Sequence, residues 1–196
     1  TDLYRCDLGA ANYTYDLSIN TPIVKAGLNP ATIVSYYDNQ ADANAGNANT
    51  LPTSYVGTPG ETIYVRVKNA TGNCYVVKSF KLLTSPAPTA TQPGNITKCA
   101  TSQFNNSAFY LPVQTATILG TQSPTAYNVT YYTTLANANA GTNPVTTHYA
   151  TNNTTVYARV QSVYDATCYS VTSFVLFISP LPAVDAFDPV VVCQPY

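Results

Sequence analysis

The chain has little of what catalysis or charge recognition requires. Of 196 residues, one is His, one is Glu, and none is Met or Trp. Charged residues make up 9%, and the formal net charge is −1. The five Lys and three Arg are scattered, so no basic stripe exists for nucleic acid. No apolar run reaches the roughly 18–20 residues that would span a membrane; FVLFI at 174–178 is the strongest, and direct membrane insertion is not expected. The opening TDLYRC lacks the pattern of a signal peptide, so the chain is expected to be a mature piece or an excised segment. The single imidazole, His148, is expected in a loop of the second half, and Glu61 has no counterpart there. A Ser-His-Asp group or an acid pair therefore lacks material. No enzymatic activity and no cofactor are expected.

What is abundant points to strands. The chain holds 29 Thr, 18 Asn, 17 Tyr and 14 Pro. Thr and Tyr favour a pleated, half-buried surface, and Pro, Asn and Gly supply turns. The reading is all-β.

Self-similarity decides the architecture. Cys6 and Cys99 are spaced like Cys74 and Cys168, and Cys99 and Cys193 repeat the interval. Between them the same landmarks recur in order: Leu17 and Leu111, Tyr36-Tyr37 and Tyr131-Tyr132, Tyr55 and Tyr149, IYVRV and VYARV. Each unit closes with Ser-Pro-x-Pro. The boundaries are repeat 1 at 1–85, repeat 2 at 86–182 with a Pro-rich linker at 86–94, and the first strand of a following repeat at 183–196. In repeat 1, Ile63, Val65 and Val67 alternate with Tyr64 and Arg66; in repeat 2, Val156, Ala158 and Val160 alternate with Tyr157 and Arg159. That period of two marks half-buried strands. Val34, Tyr36, Val129 and Tyr131 are expected to face inward. Short strands with turn signals between them predict two tandem β-sandwich repeats.

In each unit the first Cys ends the first strand. The second follows a tight turn, TGN at 71–73 or DAT at 165–167, at the start of the last strand. This placement predicts Cys6–Cys74 and Cys99–Cys168 staples, each contributing about 4 kcal/mol by loop closure. Such bonds imply an oxidising, extracellular setting. Cys193 is left unpaired in this chain. No C-x-x-C or Cys/His cluster offers a metal site.

The run DNQADANAGNAN, with Asp38 and Asp42, resembles a calcium loop, which needs several carboxylates. Repeat 2 has Thr133 and Asn137 at those positions, yet keeps alternating Ala followed by Gly141. A short helical turn that packs closely and then reverses fits both copies better. Tyr64, Arg66, Tyr157 and Arg159 are candidate surface contacts; a cross-strand Tyr–Arg stack is the plainer alternative.

The order Cys, V-x-Y-Y, A-[DN]-A-x-A-G, [IV]-Y-x-R-V, C-Y, S-P-x-P resembles the tandem Ig-like repeats of large Bacteroidota surface proteins. Gliding-motility adhesins and other type IX secretion cargo are among them. The resemblance implies a cell-surface or released filament working in attachment or movement, with neighbouring repeats or copies of the same protein as partners. Surface polysaccharide is a further candidate partner, since exposed Tyr, Asn and Thr suit a carbohydrate-binding module. A third expectation is a polymerising filament subunit that donates residues 183–193 as a strand to the next chain.

Overall fold

The computed structural model describes residues 1–71, 74–100 and 107–181. Repeat 1 consists of β1 (Leu3–Asp7), β2 (Tyr13–Asp16), α1 (Asn20–Lys25), β3 (Ile33–Tyr37), α2 (Gln40–Ala45), β4 (Ser54–Gly57), β5 (Thr62–Lys68) and β6 (Tyr75–Pro86). Repeat 2 has the same order: β7 (Ile96–Cys99), β8 (Ser107–Tyr110), α3 (Thr115–Leu119), β9 (Tyr127–Tyr132), α4 (Leu135–Ala140), β10 (Thr147–Ala150), β11 (Thr154–Ser162) and β12 (Tyr169–Ser179). The expected strand of a following repeat lies outside the described residues.

Each repeat is an all-β, Ig-like sandwich. A four-stranded sheet, β1-β6-β5-β3 or β7-β12-β11-β9, faces a two-stranded ribbon, β2-β4 or β8-β10. The pairings are antiparallel except the first. β1 runs parallel to β6, with Cys6 opposite Ser85, and β7 runs parallel to β12, with Cys99 opposite Ser179. His148 lies in β10 rather than in a loop, half-buried and opposite Phe109.

The alternation read from the sequence fills the two cores. Ile63, Val65, Val156, Ala158 and Val160 are buried. Tyr36 meets Phe80 edge-on at 6.2 Å, and Tyr131 meets Phe174 at 6.4 Å. Their hydroxyls do not go unpaired: Tyr36 bonds Thr21 Oγ1 at 2.9 Å, and Tyr131 bonds Thr115 Oγ1 at 2.8 Å. The short helices α1 and α3 are thus tied to the edge strands β3 and β9. Tyr37 and Tyr132, which point to the opposite face of the sheet, are buried as well. That face is covered because α2 and α4 lie against it.

Tyr55 adds a polar lock in repeat 1. Its hydroxyl donates to the Glu61 carboxylate, which also accepts the Thr58 N–H at 3.0 Å. Burial, then the Glu61 carboxylate, push the Tyr55 phenol up to about 12. A phenol raised in the folded state above its unfolded value near 10 stabilises fully below that value. The contribution is lost as pH climbs through the folded value. Denaturation of wild type and Tyr55→Phe across pH 9–12 should therefore show a stability difference that shrinks toward the alkaline end; a constant difference would contradict the lock.

Candidate functional site: the junction between repeats

The parallel pairing of first and last strands decides where the cysteines go. Cys6 ends β1 beside the exit of β6, whereas Cys74 precedes the entry of β6. β6 has 12 residues, so at about 3.3 Å per residue its ends are roughly 35 Å apart. A disulfide requires Cα atoms within about 7 Å. The expected Cys6–Cys74 and Cys99–Cys168 staples are therefore corrected: the bond is Cys6–Cys168, with Cα atoms 4.9 Å apart and a sequence separation of 162. It joins the first strand of repeat 1 to the last strand of repeat 2. Cys74 and Cys99 are exposed thiols, and Cys193 lies outside the described residues. In the chain-entropy account, closing so long a loop contributes about 5 kcal/mol.

Around this bond the two repeats meet through matched side chains. Asp165 is buried, and its Oδ2 accepts the Cys6 N–H at 3.0 Å and lies 4.0 Å from the Arg5 guanidinium. Its Oδ1 accepts the Thr167 N–H at 2.9 Å, which shapes the turn before Cys168. Tyr4 stacks on Tyr164 with ring centroids 4.6 Å apart. On the other side, buried Ser85 and Ser162 share a 2.9 Å hydroxyl bond, and the Tyr127 hydroxyl donates to the Pro86 carbonyl at 2.9 Å.

The linker continues the contact. Thr91 N–H donates to Ile118 O at 3.0 Å. The Gln122 amide brackets Thr89, accepting its N–H at 3.0 Å and donating to its carbonyl at 2.7 Å. Ala90 packs on the core of repeat 2. The proline-rich segment is thus docked onto repeat 2.

None of Tyr4, Arg5, Ser85, Tyr164 and Asp165 was singled out from the sequence as an inter-repeat contact. The available signal was departure from the repeat. Thr97 and Lys98 replace Tyr4 and Arg5, and Ala70 and Thr71 replace Tyr164 and Asp165. Positions that differ between otherwise matched copies are those facing a neighbour.

Arg159 is not a surface contact, and that expectation is also corrected, whereas Arg66 is half-buried. Arg159 is 4% exposed. It donates to the Ala138 and Asn139 carbonyls at 2.9 and 2.7 Å, to Ala166 O at 2.9 Å and to Gln161 Oε1 at 2.9 Å. Half-buried Arg66 donates to the Ala43 and Asn44 carbonyls, both at 2.7 Å. Each guanidinium satisfies carbonyls left open at the end of α2 or α4 and places its charge at the negative end of that helix. Each also lies 3.5 Å over a ring on the neighbouring strand, Tyr75 or Tyr169, so the cross-strand Tyr–Arg stack is present in both repeats. Tyr64 and Tyr157 instead face Tyr37 and Tyr132 across the sheet.

The Ala-rich loop is the helical turn. Asn39 and Thr134 cap its start, and Gly46 and Gly141 end it at φ 65° and 70°. The Asp42 carboxylate is engaged by the amides of Asn39, Asn47 and Asn49, and bonds from Asn39, then Asn49 and Asn47, hold it below the usual carboxylate range. Among the described residues, no three His, Cys, Asp or Glu side chains converge as a metal site would require.

Two mutational contrasts follow from this geometry. Cys168→Ala should separate one thermal transition into two and lower stability by up to about 5 kcal/mol. Cys74→Ala should stay within about 0.5 kcal/mol of wild type; calorimetry under non-reducing conditions reads both. Arg159→Ala should cost about 2–4 kcal/mol in denaturant titration and more than Arg66→Ala, because it leaves an additional carbonyl unpaired.

The Flavobacterium inter-domain disulphide bond domain matches residues 2–88 and again 95–182. Among solved structures, a chimeric titin tandem is 13% identical, over 76% of this chain and 85% of that one, with a TM-score of 0.27. A three-domain titin fragment is 9% identical, with 92% of this chain and 63% of that chain covered and a TM-score of 0.29. A two-domain fragment of human mucin-like protocadherin is 12% identical, over 78% and 86%, with a TM-score of 0.29. No curated protein gives a significant match. The two family matches take in most of the chain, and it belongs to the Flavobacterium inter-domain disulphide bond domain family, in two successive copies.

Proposed function

We propose that the chain is a non-enzymatic, load-bearing segment of a bacterial extracellular adhesin or filament, working in surface attachment or gliding. The observation that carries this reading is the Cys6–Cys168 bond. Tension applied between the two ends enters at β1 and leaves along β12. The covalent path runs from Cys6 directly to Cys168, so the chain between them, a sequence separation of 162, bears no load. At about 3.5 Å per residue, roughly 560 Å of chain is withheld from extension. A disulfide within each repeat would protect each repeat but leave the joint free. The bond across the joint fixes the joint too.

Family membership supports an extracellular setting, where disulfides persist. No helix among the described residues is long and apolar enough to cross a membrane. Export by the type IX system and service in gliding remain parts of the same proposal, resting on the resemblance in the repeat motifs. Neighbouring repeats are the principal partners. Surface polysaccharide is a secondary one, favoured by Tyr110 and Tyr149, which are 57% and 77% exposed on the outer face of the β8-β10 ribbon. Aromatic faces of that kind stack on sugar rings.

Single-molecule pulling between the termini tests the mechanical reading. The oxidised chain should lengthen only by the short segments outside the bond. Reductant, or Cys6→Ser, should release about 560 Å more. Equal extension in both states would overturn it.

A further inference from the structure

The two sulfurs of the Cys6–Cys168 bond differ in access. Cys168 is fully buried, and its Sγ lies 4.0 and 3.8 Å from the Ser85 and Pro86 carbonyl oxygens. Its own N–H is taken by the Asp165 carbonyl at 3.0 Å. Cys6 is only half-buried. A thiolate breaks a disulfide by attacking one sulfur and expelling the other. Burial of Cys168 leaves Cys6 Sγ as the point of entry.

Beside this bond lies a cleft of about 380 Å³ with walls from both repeats: Tyr4, Arg5 and Asp16 from one, Tyr164, Asp165 and Thr167 from the other. Neither bonded cysteine is in its lining. Asp165 connects the two, since it lines the cleft and its Oδ2 accepts the Cys6 N–H at 3.0 Å. The stacked rings of Tyr4 and Tyr164, 4.6 Å apart, hold the walls together. The cleft is acidic. Asp2, Asp16 and Asp165 line it, against the guanidinium of Arg5, and Asp7 follows Cys6 in the chain. The fold does not require this charge. Asp2 Oδ1 accepts the Lys81 N–H at 2.8 Å, and in repeat 2 the uncharged Asn95 does the same for the Val175 N–H at 2.8 Å. Asp16 caps the Ser18 N–H through Oδ1 at 2.9 Å, and Tyr110 stands in its place in repeat 2. Thr71 is the counterpart of Asp165. The carboxylates are gathered where the two repeats meet around the bond.

We infer that this cleft is the route by which small thiols reach the bond, and that its carboxylates make it a charge filter, admitting cationic reductants and holding back anionic ones. In the first step a thiolate bonds to Cys6 Sγ and the Cys6–Cys168 bond breaks. The electron pair stays on Cys168 Sγ, which takes up a proton. A second thiolate then attacks the reductant's own sulfur in the mixed disulfide, and Cys6 leaves as a thiolate. Two small thiols are oxidised to one disulfide, and the protein's bond is reduced. The reagent's charge matters because it must pass within a Debye length, about 8–10 Å, of the carboxylates. One uncompensated carboxylate at roughly 6 Å changes such a rate about three- to tenfold at a partly exposed site. Asp165 and Asp16 are specificity-determining residues in this scheme, and Arg5 opposes them. The inference goes beyond the load-bearing reading and does not rest on it: that reading needs the bond, whereas this one concerns what can open it.

The test uses the full chain with Cys74→Ser, Cys99→Ser and Cys193→Ser, so that one disulfide is followed. Cysteamine, 2-mercaptoethanol and 2-mercaptoethanesulfonate are cationic, neutral and anionic thiols. Each reduces the chain at low ionic strength, and alkylation followed by mass spectrometry reads the loss of the bond. Rates are corrected for thiolate fraction and divided by those with 2-hydroxyethyl disulfide, which is small and uncharged. Wild type should favour cysteamine over the sulfonate by about tenfold. Asp165→Asn and Asp16→Asn should each narrow that ratio about threefold, and Arg5→Ala should widen it by a similar factor. Asp16→Asn keeps an acceptor for the Ser18 N–H, so it reports charge without loss of the cap. Salt at about 0.5 M should narrow the ratio in every variant. A wild-type ratio no larger than that of the small disulfide, or one that neither Asp16→Asn nor Asp165→Asn moves, would overturn the filter and leave the load-bearing reading standing.

Discussion

The parallel pairing of the first strand with the last is the constraint on which the rest of the structure depends. In an antiparallel arrangement, the end of β1 would lie beside the start of β6, and each repeat could close its own disulfide. The parallel ladder puts Cys6 beside Ser85 instead, at the point where the chain leaves for repeat 2. A covalent bond from that position can only reach outward. Every feature of the junction lies around this exit: the buried serine pair, the proline carbonyl taken by Tyr127, and the carboxylate of Asp165 on the Cys6 amide.

Within each repeat, an arginine does the work that a larger core would do elsewhere. A unit of fewer than a hundred residues buries a modest share of its surface. Arg66 and Arg159 extend the packed region to the second face of the sheet by pulling a short helix down onto it. The helix needs alanine to approach closely, glycine to turn away, and a cation at its end. Ala43 and Ala138 are fully buried as a result, and Tyr37 and Tyr132 are covered. The motif is kept in both copies without its acidic residues because its function is packing.

The two repeats, nearly equivalent in fold, differ where they face a neighbour. Repeat 2 receives the linker, and the residues beneath it belong to its core. Among the described residues, repeat 1 leaves the same edge open, with Leu28 and Val76 exposed and the Cys74 thiol beside them. Physical environment, rather than fold, separates the two.

The sequence alone determined the β class, the two copies and the alternation of the central strands. Those features depend on local periodicity and on spacing, which a linear string records directly. The helical nature of the Ala-rich loop was legible for the same reason: two copies shared its small residues and its glycine but not its charge. Tertiary structure decided the partners. Cys6 is compatible in sequence with either Cys74 or Cys168, and only the direction of a strand pairing, made across some eighty residues, excludes the first. Arg159 reads as an outward residue by its alternation. It is buried because a helix from elsewhere in the chain lies over that face. Strand direction and coverage by distant elements are long-range properties, and no local pattern encodes them.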